Sequence, residues 1–268
     1  MVSSMPPELT PEQFTQELID RAWEEEDEAE RMRLVLRALA RSPDHADGYV
    51  LLAQQVDDDL VAVRELYERG VAAGERALGT SFFAKEVGSF WGLIQTRPYM
   101  RARHGLALTL WKLGERELAS AHLQEMLQLN PHDNQGTRYS LIAWLYETGR
   151  DEELGMLFAA YPDDVLAEWT YTRALWTFRQ QGASRQAAQL LREAYRWNAH
   201  VPAYLAEPRR LPKELPIMIG LGDEREAVAY ASHTVHLWQG TEGALAWLRA
   251  TVSKQPPTAR KRSRPRPI

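Results

Sequence analysis

The sequence predicts an all-α chain, a right-handed α-solenoid of stacked helix hairpins. Two observations carry this. The first is the stretch Arg97 to Pro131, RPYMRARHGLALTLWKLGERELASAHLQEMLQLNP, which reads at helical period as two amphipathic helices joined by a tight turn at Gly114. Leu106, Ala107 and Leu110 form one apolar face; Ala119, Leu123, Met126 and Leu127 form the facing one. Pro98 suits a first helical turn, where its missing N–H would lack a partner anyway, and Pro131 stops the second helix. The second observation is an internal register. Gly114, Gly149 and Gly182 stand 35 and 33 residues apart. Ala119, Leu154 and Ala187 follow them by five residues, Leu123, Phe158 and Leu191 by nine, and Met126, Tyr161 and Ala194 by twelve.

A period of about 34 residues, with small residues at helix contacts and proline at the end, is that of the tetratricopeptide repeat (TPR). The elements follow in order. Residues 1–8 are expected to be disordered, ahead of a helical repeat domain over 9–252. Thr10 caps a helix starting at Pro11 and carrying Phe14, Leu18, Ile19, Ala22 and Trp23. The run Glu24 to Glu28 spans a helix–helix turn, its charge favouring the next helix's N-terminus. That helix carries Met32, Leu34, Val35, Leu36 and Ala38 and ends near Ser42–Pro43, closing a degenerate first repeat near 10–43. A second repeat, near 44–79, places Tyr49, Leu51, Leu52 and Ala53 before the turn Asp57–Asp59. Leu60, Val63, Leu66, Tyr67 and Val71 follow it. Thr80 to Thr96 is read as a connection whose Phe82, Phe83, Phe90 and Trp91 pack against the array.

Repeats near 98–131, 134–162 and 166–200 complete the register, with Pro162 truncating the second helix of the middle one. Pro202, Pro208, Pro212 and Pro216 rule out a long helix after Asn198. Asp223 with Glu226 reads as a capping box opening a helix through Tyr230 to Trp238. Thr241 opens a last short helix, completing capping helices over 223–251. Residues 253–268 read as a disordered basic tail.

Composition bounds the chemistry. The chain has no cysteine, which excludes disulfides, thiolate zinc sites and cysteine nucleophiles and favours a reducing compartment. The opening MVSSMPPELTPEQF has neither a basic start nor an apolar run, and no stretch approaches a membrane span, so a soluble cytoplasmic protein is expected. Of the net charge of −5, the final RKRSRPRPI contributes five positives, leaving −10 on residues 1–259. An acidic body does not suit a dedicated nucleic-acid binder, and only weak nucleic-acid contact through Arg260–Arg266 is expected.

The runs NAHVPAYLAEPRRLPKELPIMIGLGDEREAVAYA and LWQGTEGALAWL resemble the suppressor-of-tumorigenicity-7 family and its shorter, soluble bacterial TPR relatives. So do SPDHADGYVLLA, FWGLIQTRPYMRARHGLALTLWKLG and NPHDNQG, and the resemblance covers roughly residues 35–250. It implies a helical-repeat interaction protein and supplies no catalytic residues. Animal members have hydrophobic membrane segments that this sequence lacks, so a membrane role does not transfer.

No catalytic constellation stands out. His233 and His236 lie three apart on an expected helix, too few for a zinc site, and H-E-x-x-H is absent. Gly220–Leu221–Gly222 lacks the third glycine of a phosphate loop, and the acids at 24–28 lack the alternation and central glycine of a calcium loop. No cofactor, metal or small-molecule substrate is expected, and the chain reads as non-catalytic.

The functional content lies in the expected concave wall. Aligning the turn glycines projects Arg101, His104, Leu108, Trp111 and Lys112 onto it, then Tyr139, Ala143 and Tyr146, then Thr172, Arg173, Trp176 and Arg179. Arginine forks and flat rings on an acidic body suit a protein or peptide partner, an acidic or C-terminal one in particular. The same rings would equally serve to pack one repeat on the next. The alternatives are a nucleic-acid accessory protein using the tail and, last, an enzyme with a groove site.

Overall fold

The computed structural model describes residues 10–56, 58–206 and 209–254. The expected disorder of 1–8, the whole of Arg260–Arg266 and most of the basic tail fall outside them. Every regular element among the described residues is helical. The chain divides into two compact units, Met1–Leu141 and Ile142–Ile268.

The first unit opens with α1 (Pro11–Glu24) and α2 (Glu28–Arg41). Thr10 and Gln13 exchange the two bonds of a capping box, and Asp27 accepts the Glu30 N–H at 2.8 Å. The acidic run is therefore spent on a turn and on the first turn of α2, as the charge pattern implied. Between them α1 and α2 bury Leu18, Ile19, Ala22, Leu34, Val35 and Ala38, with Leu51 closing the cluster. Next come α3 (Ala46–Ala53) and α4 (Leu60–Leu78), then α6 (Arg97–Lys112) and α7 (Arg116–Leu129). Each of these pairs packs together, and α4 also packs along α6. That approach is close because Gly74 of α4 has no side chain: a Cβ there would stand 2.8 Å from the Cβ of Tyr99. Gly114 ends α6 at φ +85°, a conformation glycine adopts without strain.

The stretch read as a connection, Thr80 to Thr96, is more ordered than expected. It forms α5 (Thr80–Glu86) and two 3-10 turns, Phe90–Gly92 and Ile94–Thr96. The cause is aromatic packing. Phe90 is fully buried, with the rings of Phe83 and Phe82 at 5.0 and 5.9 Å and that of Tyr99 at 6.2 Å.

Helix α8 (Thr137–Glu147) starts in the first unit and ends in the second. The second unit continues with α9 (Asp151–Ala160), α10 (Ala167–Gln181), α11 (Arg185–Trp197), the short α12 (Val201–Leu205), α13 (Glu224–Gly240) and α14 (Ala244–Val252). Tyr161 and Pro162 follow the end of α9, where proline cannot continue a helix. Ser184 caps α11 by accepting the Ala187 N–H. The core is aromatic: Trp169, Tyr171, Tyr230 and Trp238 are fully buried.

One cap departs from expectation. Asp223 accepts the Glu226 N–H at 2.8 Å, but Glu226 does not reach back to complete a capping box. Its carboxylate instead accepts the Ala167 N–H at 2.9 Å, capping α10, and the Asn198 Nδ2 and Gly222 N–H groups at 2.8 and 2.6 Å. A buried carboxylate needs several donors, and those available lie on other elements.

Candidate functional site

The first unit carries a cleft of about 970 Å³. One wall is the outer face of α1. Glu12, Gln16 and Asp20 recur every four residues, and Trp23 follows three later, so all four share one side of the helix. The other walls come from the turn into α3, the end of α4, and the segment from Ile94 to Arg101. Trp23 and Ile94 are 40% and 76% exposed.

The back of the cleft is fixed by one ion pair. Arg101 donates from Nε to Asp47 Oδ1 at 2.8 Å and from Nη2 to Oδ2 at 2.5 Å, while its guanidinium lies 5.8 Å from the Trp23 ring centre. Asp47 is 1% exposed and sits in the first turn of α3, where the helix dipole favours a negative charge. His45 lines the same cleft. Gln16 Nε2 donates to Asp20 at 2.8 Å, so Gln16 Oε1 must accept from His45 Nε2, 3.1 Å away. That leaves His45 Nδ1 as a buried acceptor without a partner. Burial pulls its pKa below 6.5, outweighing the upward pull of Asp47 and Asp20, so the ring is neutral near pH 7.

The other residues projected onto a binding wall go to different places. His104 is half-buried, its pKa lowered by burial against the upward pull of Asp133. Trp111 carries the Arg116 guanidinium 4.1 Å from its ring centre. Lys112 is exposed at a separate cavity of about 480 Å³, shared with Asp58, Asp59 and Tyr67, so Arg101 and Lys112 do not share a cavity. Tyr139 stacks under Arg138, which pairs with the buried Asp133 at 2.9 Å.

In the second unit, Tyr146 corrects the reading. It is 4% exposed, its hydroxyl bonded to Thr241 at 2.6 Å and its ring covered by Arg179 at 3.7 Å. It packs between elements instead of facing out. Trp176 and Arg179 converge with Gln180 on Asp151, with Trp176 Nε1 at 3.0 Å and Gln180 Nε2 at 2.7 Å. The carboxylate that these side chains were expected to take from a partner is supplied by the chain itself. Arg173 makes no ion pair among the described residues and lines a cavity of about 250 Å³ with Asp163, Glu193 and Trp197, apart from that of Arg179. His236 lies 3.5 Å from Glu147.

Sequence reasoning missed Glu12, Asp20, Trp23, Asp47 and Ile94. The four-residue polar spacing of Glu12, Gln16 and Asp20 on α1, with Trp23 three residues on, was the available signal.

No protein-family model matches the chain. It is 27% identical to the suppressor of tumorigenicity 7 protein-like of Homo sapiens, covering 87% of this chain and 44% of that protein. With the Bos taurus protein of the same name the identity is 27%, and the shares are 87% and 46%. The Protein ST7 homolog of Drosophila melanogaster is 26% identical, over 88% of this chain and 48% of that one. The similarity is to suppressor-of-tumorigenicity-7 proteins. The chain spans less than half the length of these relatives. Those names state no reaction and no ligand. No helix among the described residues is long and apolar enough to cross a membrane.

Proposed function

We propose that the chain is a non-catalytic TPR-like scaffold of solenoid type, working in the cytoplasm and holding a protein or peptide partner. The observation that carries this is the cleft of the first unit. Its size, about 970 Å³, falls within the range of ligand sites, and it is open enough for a chain segment to lie in it. Two large apolar side chains stay exposed there beside a cation that the fold already holds rigid. Rigid aromatic and aliphatic anchors of that kind dominate binding energy at protein interfaces. The consecutive helix pairs and the near-34-residue register support the repeat reading.

The test is affinity capture from the source organism's lysate with parent, Trp23→Ala and Ile94→Glu proteins, read by mass spectrometry. A partner captured by the parent and lost from both variants supports the cleft. A partner retained by both places binding elsewhere.

A further inference from the structure

The cleft's charges are unequal, and they point to the kind of segment it takes. Four acids and two arginines line it. Asp47 is matched by Arg101, and Asp44 by Arg76 at 2.7 Å. Glu12 and Asp20 have no ion pair among the described residues and stand exposed on the α1 wall. Against them stands Arg97 on the far wall, its Nε donating to the Trp91 carbonyl at 3.2 Å and its guanidinium 5.3 Å from the Trp91 ring centre. The open wall is therefore negative.

Spacing adds a register. Glu12 and Asp20 are eight residues apart on one helical face, about 12 Å at the α-helical rise. An extended peptide covers that distance in about four residues, and side chains four apart on it point the same way. Side chains between them at odd positions point away from that face, and Ile94, Pro98 and Leu78 line the same cleft. Trp23, already beside one guanidinium, offers a flat surface at the Asp20 end.

Building on the partner-cleft reading, we infer that the cleft of the first unit binds an extended basic segment. Its two arginine or lysine side chains stand four residues apart and meet Glu12 and Asp20, with aliphatic residues between them against Ile94 and Pro98.

The probes are two fluorescein-labelled synthetic peptides of equal length with glycine flanks. One has the core Arg-Leu-Gln-Leu-Arg, the other Glu-Leu-Gln-Leu-Glu. Binding is read by fluorescence anisotropy at low and high salt. The arginine peptide should bind more tightly and weaken as salt rises. The double variant Glu12→Gln, Asp20→Asn should weaken it roughly three- to tenfold, the sum of two exposed ion pairs, and should not weaken the glutamate peptide, which is relieved of two like charges. Both positions are on the surface, and circular dichroism checks that the variant is folded. Equal affinity of parent and double variant for the arginine peptide, or tighter binding of the glutamate peptide, overturns the inference. If the glutamate peptide binds and Trp23→Ala abolishes it, the cleft stands and only its charge preference falls. Binding of neither peptide, or binding that Trp23→Ala leaves unchanged, overturns the inference and the cleft reading together.

Discussion

Glu226 holds the start of α10 from 59 residues away: its carboxylate accepts the Ala167 backbone N–H at 2.9 Å. A helix N-terminus leaves its first N–H groups without intrahelical partners, and Ala167 opens a helix whose preceding residue, Leu166, offers no side-chain cap. The same carboxylate gathers Asn198 Nδ2 and the Gly222 N–H, and it is 3% exposed. One side chain on α13 therefore positions the start of α10, the end of α11 and the loop before α13 itself.

Glu226→Ala should lower the stability of the second unit by about 2–4 kcal/mol. Each bond to a charged acceptor is worth about 1.5–3 kcal/mol, and their loss leaves buried donors unsatisfied. Glu226→Gln should cost less, since it keeps one acceptor oxygen and turns a competing N–H₂ towards a donor. Urea unfolding of parent and both variants checks this. A loss below about 1 kcal/mol for the alanine variant would mean that water replaces the carboxylate.

The close helix contacts make a second prediction. Gly74→Ala would ordinarily favour a helix by about 1 kcal/mol. Here the new Cβ would meet the Cβ of Tyr99 at 2.8 Å and its Cα at 3.2 Å, and backbone does not yield cheaply. Tyr99 is held among Phe83 and Phe90, so the overlap, costing about 1–3 kcal/mol, should outweigh propensity. Ala119 and Ala187 are fully buried, and Ala119→Phe and Ala187→Phe should destabilise at least as much. Unchanged melting of all three variants would refute close packing at these positions.

Thr10, Pro11, Asp223, the turn glycines and the stop at Pro162 act within a few residues of themselves, and spacing alone places them. Asp47 with Arg101 and Asp151 with Arg179 are 54 and 28 residues apart, pairs that only the packed chain creates. Helical period says that Arg179 leaves the apolar face. It does not say whether the carboxylate it meets belongs to a partner or to the next helix back. Tyr146 went astray for the same reason: a side chain off one helix's core stripe was buried by another element.

That distinction separates two arginines read as equivalent. Arg179 is bonded to Asp151, to the Tyr146 carbonyl at 2.7 Å and to the Tyr146 ring, so it is part of the fold. Arg179→Ala should cost about 1–2 kcal/mol, moderated by partial solvent access to the pair. Arg173→Ala should change stability by less than about 0.5 kcal/mol, since it breaks no ion pair. Parallel denaturant curves decide this. Equal losses would show that Arg173 has a structural partner, and no loss at Arg179 would show that the Asp151 cluster contributes nothing.

The last prediction is that two buried groups, Glu168 in the second unit and His122 in the first, pull stability in opposite directions as pH changes. In the second, burial raises the pKa of Glu168 from 4.5 to about 7, with the negative charge of Glu226 adding to the rise. Between those values the folded unit holds a proton that the unfolded chain has released. The contribution of Glu168 is therefore greatest below about pH 4.5, falls as pH rises to 7, and is flat above. In the first unit, burial lowers the pKa of His122 from 6.5 to about 4, aided by Arg103 and opposed by Glu68. Here the unfolded chain takes the proton first. That stability is complete above pH 6.5 and is lost as pH falls towards 4. Glu168→Gln should remove the decline on the neutral side, and His122→Gln the loss on the acid side. Unfolding midpoints at about pH 5, 6 and 8 for parent and variants give the slopes directly. If both variants keep the parent's slope, neither group titrates between its folded and unfolded values, and the pH dependence lies in other carboxylates.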